Sequence, residues 1–273
     1  MPSHFDECDI VGFCNGLFCL ANYDKKLCHI IYLWNPSIRM FKKLLATPST
    51  GEGDTCVIGL AYNFQNNDFK ILRLVSFIVG QEAEAEIYSL STDSWRKVVI
   101  SMESLRGYEP KFGTIDEGIF FNGALHAVAT TSRHCFILSF NVNDESFREM
   151  MLPPDLLDLD GVCCTELAVF KGSLAVFIYT DDLSDVFCHI WVMEEYGVAE
   201  SWIEKYMVPM ILNSHFYCNG CTDNGELLIK TATGLVSIDP ESRNQNILAI
   251  EDADWVGCTA NSMESLILLD GGK

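Results

Sequence analysis

An Asn-Gly pair between two apolar runs, as in GFCNGLFCL at residues 12–20, signals a hairpin, because both central residues of a tight primed turn need φ > 0. The feature that most constrains this chain is that the signal recurs. FFNGALHAV, VFKGSLAVF and TDNGELLIK repeat the turn, each followed by the same kind of apolar strand. Gly123, Gly172 and Gly225 are spaced by 49 and 53 residues, and Gly16 lies 107 before Gly123, which is two such periods. FQNNDF at 64–69 stands in the skipped slot without the glycine. Past each hairpin comes a second apolar run, a polar turn and an aromatic residue. Those aromatics are Phe41, Trp95, Phe147 and Trp202, spaced by 54, 52 and 55 residues.

A period near 50 built from short strands and tight turns points to kelch-like propeller blades. Each module reads as four strands, here called a to d. In the clearest one, TELAVF is a, SLAVFIY is b, FCHIWVM is c and SWIEKYMV is d. A four-stranded sheet cannot cover its own faces, so stacked blades bury them. The expected fold is all-β: a kelch-like β-propeller of about five four-stranded blades, with WVGCTANSMESLILLD at the end reading as one more a–b hairpin of an incomplete blade. The expected organisation is an N-terminal remnant at 1–9 and one propeller domain at 10–270. Little helix is expected, beyond one short turn in EEYGVAES.

The chain has 18 Lys+Arg against 38 Asp+Glu, a formal charge of −20. Phosphate backbones would be repelled, so nucleic acid is a poor partner. No apolar run is long enough to span a membrane as a helix. The opening MPSHFDECDI has neither the basic segment nor the apolar core of a signal peptide. The 12 cysteines lie mostly in apolar strand-like runs, Cys14, Cys19, Cys135 and Cys188 among them. They read as reduced core thiols of a cytoplasmic protein, not as a disulfide framework.

The motifs GFCNGLFCL, LWNPSIR, AYNFQNNDFKILRLV, AEIYSLSTDSWRKV, LAVFKGSLAVF, IWVMEEYGVAESW and ESLILLD run in order over residues 10 to 270. They resemble the F-box-associated domain, type one, of plant F-box proteins, and within it the S-locus F-box group. The resemblance implies a domain that holds a protein substrate, behind an N-terminal F-box that docks the Skp adaptor and, through it, the cullin of an SCF ubiquitin ligase. In the S-locus group, which acts in self-incompatibility, the substrate class is the basic S-RNases. Only nine residues precede IVGFCNG, so no F-box is expected within this chain.

Catalytic and metal signals are weak. HFYCNGC gives His215, Cys218 and Cys221 a metal-like spacing, but a structural zinc needs four ligands and no second C-x-x-C follows. His189 in HIWVM reads as a satisfied strand residue. No G-x-S-x-G elbow, Walker loop or dinucleotide-binding loop is present. Neither a catalytic residue, a cofactor nor a metal is expected.

Acidic loops remain. In a four-strand meander the a–b and c–d turns share one end of the blade, and the b–c and d–a connections share the other. The two ends carry nearly equal formal charge. The second has the longer loops, and long loops on a rigid scaffold are where binding concentrates. The expected contacts there are Glu82, Glu84, Asp158, Asp160, Asp181, Asp182, Asp185, Asp252 and Asp254. A protein-binding module is the leading expectation. The alternative is a propeller enzyme, such as a glycoside hydrolase with paired carboxylates on the long-loop end.

Overall fold

The computed structural model describes residues 8–21, 30–47, 55–76, 83–101, 114–115, 118–130, 135–157, 162–182, 185–210, 218–231, 234–248 and 264–269. The strands group by blade. Blade 1 holds β1 (Asp9–Cys14), β2 (Leu17–Ala21), β3 (Ile30–Asn35) and β4 (Met40–Leu45). Blade 2 holds β5 (Thr55–Asn63), β6 (Asp68–Ser76), β7 (Glu84–Ser89) and β8 (Ser94–Val98). In blade 3, β9 (Thr114–Ile115) and β10 (Ile119–Phe121) both pair with β11 (Ala124–Thr130), which leads to β12 (Cys135–Asn141) and β13 (Phe147–Met150). Blade 4 holds β14 (Val162–Phe170), β15 (Ser173–Asp182), β16 (Asp185–Met193) and β17 (Trp202–Met210). Blade 5 holds β18 (Cys218–Cys221), β19 (Leu227–Thr231), β20 (Gly234–Ile238) and β21 (Gln245–Leu248). Every sheet is an antiparallel meander in chain order, as the repeat requires, with β9 alone standing off that path through its pairing with β11. Blades 1 to 3 and the tail lie in one compact unit (Met1–Glu149 with Asn261–Lys273), and blades 4 and 5 in a second (Met150–Ala260).

The turns behave locally much as their sequences dictate. Asn15-Gly16, Asn122-Gly123 and Lys171-Gly172 all have φ between 46° and 79° at both positions, the signature of a two-residue primed turn. TDNGE looks alike in sequence but closes differently. Only Gly225 has positive φ (82°), Gly225 N–H donates to Thr222 O at 2.8 Å, and Thr222 N–H donates to Glu226 O. That is a three-residue loop with its glycine in the left-handed position. In the slot without glycine, Asn63 pairs with Asp68, and Asn67 (φ 51°) takes the left-handed position. The c–d turns of blades 1, 2, 3 and 5 share one form, with Arg39, Asp93, Glu145 and Arg243 left-handed. Blade 4 replaces that form with a longer connection containing a 3-10 turn at Ala199–Ser201.

The periodic aromatics have a common task. Phe41 meets Tyr32, Trp95 meets Tyr88 and Phe147 meets Phe140 at ring separations of 4.8–6.2 Å. Each locks strand d onto strand c. Trp202 is buried and donates through Nε1 to Met151 O at 2.9 Å.

Within the first unit the leading strands of successive blades pack on one another, β1 on β5 and β5 on β10 and β11. Glycines make that approach possible. A Cβ on Gly12 would stand 2.9 Å from the backbone nitrogen of Leu60, and one on Gly59 would stand 2.8 Å from a Leu125 methyl.

The tail departs from expectation. Residues 264–269 form no strand, and 255–263 lie outside the described residues. The segment still alternates: Ser265 and Leu269 are buried while Leu266 and Leu268 are exposed. It is tied down by side chains instead of a ladder. Asn35 Nδ2 donates to the carbonyls of Ser265 and Ile267 at 3.1 and 3.0 Å, Ser265 N–H donates to Ser37 Oγ, and Leu269 joins the blade 1 core.

Candidate functional site

Blade 2 shows how the scaffold carries its long connections. Arg73 on β6 and Glu86 on β7 face each other across the ladder and form a buried ion pair of 2.7 Å. Arg73 Nη1 also donates to Thr47 O at 3.0 Å, and Thr47 N–H donates to Glu86 Oε1 at 3.2 Å. Thr47 opens the connection from blade 1 to blade 2. The pair therefore fastens that connection to the b and c strands, in the only state a buried charge tolerates, paired and hydrogen-bonded.

Of the expected acidic contacts, Glu84 is placed at the first residue of β7, exposed and 3.2 Å from Lys97 Nζ. Asp181 and Asp182 close β15 and Asp185 opens β16. The register sets Asp181 opposite Val186 and Asp182 opposite Asp185, so all three belong to one b–c hairpin tip. Glu82, Asp158, Asp160, Asp252 and Asp254 lie outside the described residues.

The opposite end uses its acids differently. Tyr88 OH and Lys42 Nζ donate to Asp93 at 2.6 and 2.9 Å, and together they hold its carboxyl below the usual carboxylate range. Lys70 Nζ donates to Glu145 Oε1 at 2.6 Å and to Val142 O at 3.1 Å, while Arg96 donates to Glu145 Oε2. Burial pushes the Glu145 carboxyl up, but the hydrogen bonds from Arg96 and Lys70 outweigh it and the net shift is down. In both cases a cation of one blade clasps the c–d turn of the next. Sequence reading missed these clasps and the Arg73–Glu86 pair. The available signal was a lone charge inside an apolar strand run, as in KILRLV and AEAEIY.

Other candidate chemistry finds structural employment. His189 Nδ1 bonds Glu204 Oε1 at 2.7 Å and its Nε2 bonds Thr180 Oγ1 at 3.1 Å, so both ring nitrogens are satisfied. Cys218 is buried in β18 with its Sγ 2.7 Å from Gly220 O, and burial pushes its thiol up to about 12; Cys221 rises to about 11 for the same reason. His215 is outside the described residues. Cys8, Cys14, Cys19, Cys56, Cys135, Cys188, Cys218 and Cys221 are unbridged. A cavity in the first unit is lined by Val57, Leu72, Leu74, Leu125, Leu138 and Phe140, with His126 as the one ionisable wall residue among the described residues. Burial lowers the His126 pKa to about 4, so its imidazole is neutral at pH 7. Among the described residues no carboxylate lines this cavity. Among the described residues no helix is long and apolar enough to cross a membrane.

Comparison with known proteins agrees with the blade architecture. Residues 3–263 match the F-box associated beta propeller domain family. Among curated proteins of Arabidopsis thaliana, the F-box/kelch-repeat protein At3g23880 is 28% identical over 221 residues, covering 75% of this chain and 54% of its own length. The F-box protein At3g07870 is 29% identical over 231 residues, covering 77% and 53%. The chain thus spans about half the length of these relatives. Among solved structures, the Dos1 propeller superposes with a TM-score of 0.46 at 10% identity, over 87% of this chain and 57% of that one. With the family matching residues 3–263, nearly its whole length, the chain belongs to the F-box associated beta propeller domain family.

Proposed function

We propose that this domain is the substrate-holding part of an F-box receptor in the cytoplasm, and that it grips a protein through the long-loop ends of its blades. The observation that carries the reading is the β15–β16 hairpin tip, where Asp181, Asp182 and Asp185 come together on the end that also bears the long connections. The other six acids named above complete the proposed contact set. A strongly acidic domain selects a basic partner, and the S-locus resemblance supplies a class with that chemistry, the S-RNases. Recruitment of the Skp adaptor and cullin is assigned to the F-box of the whole receptor, outside this contact set.

Charges at the rim of an interface act mainly on encounter rate and specificity. The test is surface plasmon resonance of the domain against a basic S-RNase at low and moderate salt. The triple variant D181N/D182N/D185N should associate about tenfold more slowly at low salt, with the difference shrinking as salt screens it. An unchanged association rate would remove this hairpin from the site.

A further inference from the structure

One face of blade 4 carries a polar chain among apolar side chains. Thr180 on β15, His189 on β16 and Glu204 on β17 are joined through the two ring nitrogens of the histidine, at 3.1 and 2.7 Å. A bulge makes the second link. Ile190 stands opposite Tyr206, but the next residue, Trp191, stands opposite Glu204, so Lys205 is the extra residue of β17. An unbroken ladder would set Lys205 against Trp191. The bulge re-aims the strand and sets a carboxylate there instead. Trp191 shares this face with His189, two residues before it on β16. It is buried, at 7% exposure, and among the described residues its indole Nε1–H has no hydrogen-bond partner. Buried N–H groups are rarely left so.

The neighbours of Trp191 within the sheet narrow the choice of acceptor. Val176, opposite it on β15, is apolar. His189 has both ring nitrogens bonded, and Met193 Sδ accepts from Gly197 N–H. Of these in-sheet neighbours Glu204 keeps the most capacity, since a carboxylate offers about four acceptor sites. Trp191 Nε1 nevertheless makes no direct bond to it. We infer that one water molecule is bound between Trp191 Nε1 and the Glu204 carboxylate, accepting from the indole and donating to the acid. A polar gap too wide for a direct bond is where a bridging water sits, and buried waters satisfy groups of this kind. The two ends fix the chemistry of the occupant. It must accept at one end and donate at the other, so a simple cation cannot serve the N–H and an anion is repelled by Glu204. The Glu204 side chain is 39% exposed, which gives water a way in. Bound there, the water extends the chain from Thr180 through His189 and Glu204 to Trp191, across the b, c and d strands of the blade. The inference does not depend on the acidic contact set proposed above.

The test uses the intact, nitrogen-15-labelled domain, with the Trp191 indole resonance assigned by its loss in Trp191→Phe. A water-selective nuclear Overhauser experiment should show a direct cross-peak between that indole N–H and a long-lived water. Glu204→Ala removes one anchor, so the cross-peak should vanish and exchange of the indole proton should quicken by about tenfold or more. Glu204→Gln keeps a carbonyl acceptor and should retain the cross-peak. A crystal structure at high resolution should place one water within about 3.2 Å of both Trp191 Nε1 and Glu204. The inference is overturned if the assigned indole shows no water cross-peak in the unaltered domain. An unchanged cross-peak and exchange rate in a normally folded Glu204→Ala domain would also overturn it. So would a crystal structure in which the indole bonds directly to Glu204 or to a backbone carbonyl. Should Glu204→Ala fail to fold, the cross-peak and the crystal structure of the unaltered domain still decide.

Discussion

Glu84 and Glu86 sit two residues apart on β7, each with a basic partner, and they do different work. Glu86 pairs with Arg73 where both side chains are nearly sealed from water, at 8% and 3% exposure. Glu84 pairs with Lys97 in the open, at 55% and 68%. The first pair cannot be broken without leaving a charge in the protein interior. The second exchanges freely with water and salt, so a partner protein can compete for Glu84. In the sequence, AEAEIY presents the two glutamates as equals. Depth alone makes one of them scaffold and leaves the other available as a contact.

The strongest way to break this contrast is Glu86→Ala. It strips the carboxylate from a buried guanidinium and should destabilise the domain by about 3–5 kcal/mol in urea unfolding. A loss below about 1 kcal/mol would mean that Arg73 reaches water and that depth is not what separates the two glutamates. Next is Glu145→Gln, which weakens the clasp from Lys70 and Arg96; a loss of about 2 kcal/mol is expected from hydrogen bonds to charged groups. This site also has a pH signature. The native carboxyl is held below its ordinary value, so its stabilisation is complete above the unfolded glutamate pKa of about 4.3. It is lost as pH falls further, through the depressed native value. Melting temperature followed from pH 6 to pH 2 should therefore drop less steeply in Glu145→Gln than in the parent.

Replacing both members of the buried pair, Arg73→Met with Glu86→Leu, should cost within about 1 kcal/mol of zero, because two apolar groups leave no charge unpaired. A double replacement as damaging as Glu86→Ala would show that the hydrogen bonds to Thr47, and not the charge, are what the fold needs. The smallest effect belongs to Glu84→Gln, at most about 0.5 kcal/mol on stability. Any measurable consequence should appear as slower association with a basic partner. A stability loss comparable with that of Glu86→Ala would abolish the distinction between the two residues.

Much of the fold was legible because its determinants are local. The hairpins at Asn15-Gly16, Asn122-Gly123 and Lys171-Gly172 follow from two residues each, and all adopt the expected left-handed angles. The aromatics at Phe41, Trp95 and Phe147 announce the d strands because they pack on the strand just before them. Where two local solutions compete, sequence reading failed: TDNGE supports a two-residue or a three-residue loop, and Thr222 selects the second through its own hydrogen bonds, including its hydroxyl accepting from Glu226 N–H at 3.1 Å. It failed again at ESLILLD, whose alternation is real but whose partner is a side chain, Asn35, more than two hundred residues away. The candidate site was legible only as a composition of loops. The sequence places Asp181, Asp182 and Asp185 near one another, but the ladder register is what sets them at a single hairpin tip.

By itself, then, the sequence determined the strand period, the turn positions and an all-β chain of blades, because those depend on contacts within a few residues and on alternation along a strand. Only the tertiary structure decided which charges are scaffold and which are surface. Lys42 finds Asp93, Lys70 and Arg96 find Glu145, and Arg73 finds Glu86 and Thr47 across separations at which no pattern couples the residues. The worth of each pairing depends on how much water the packed blades leave around it, and that is fixed only when the blades meet.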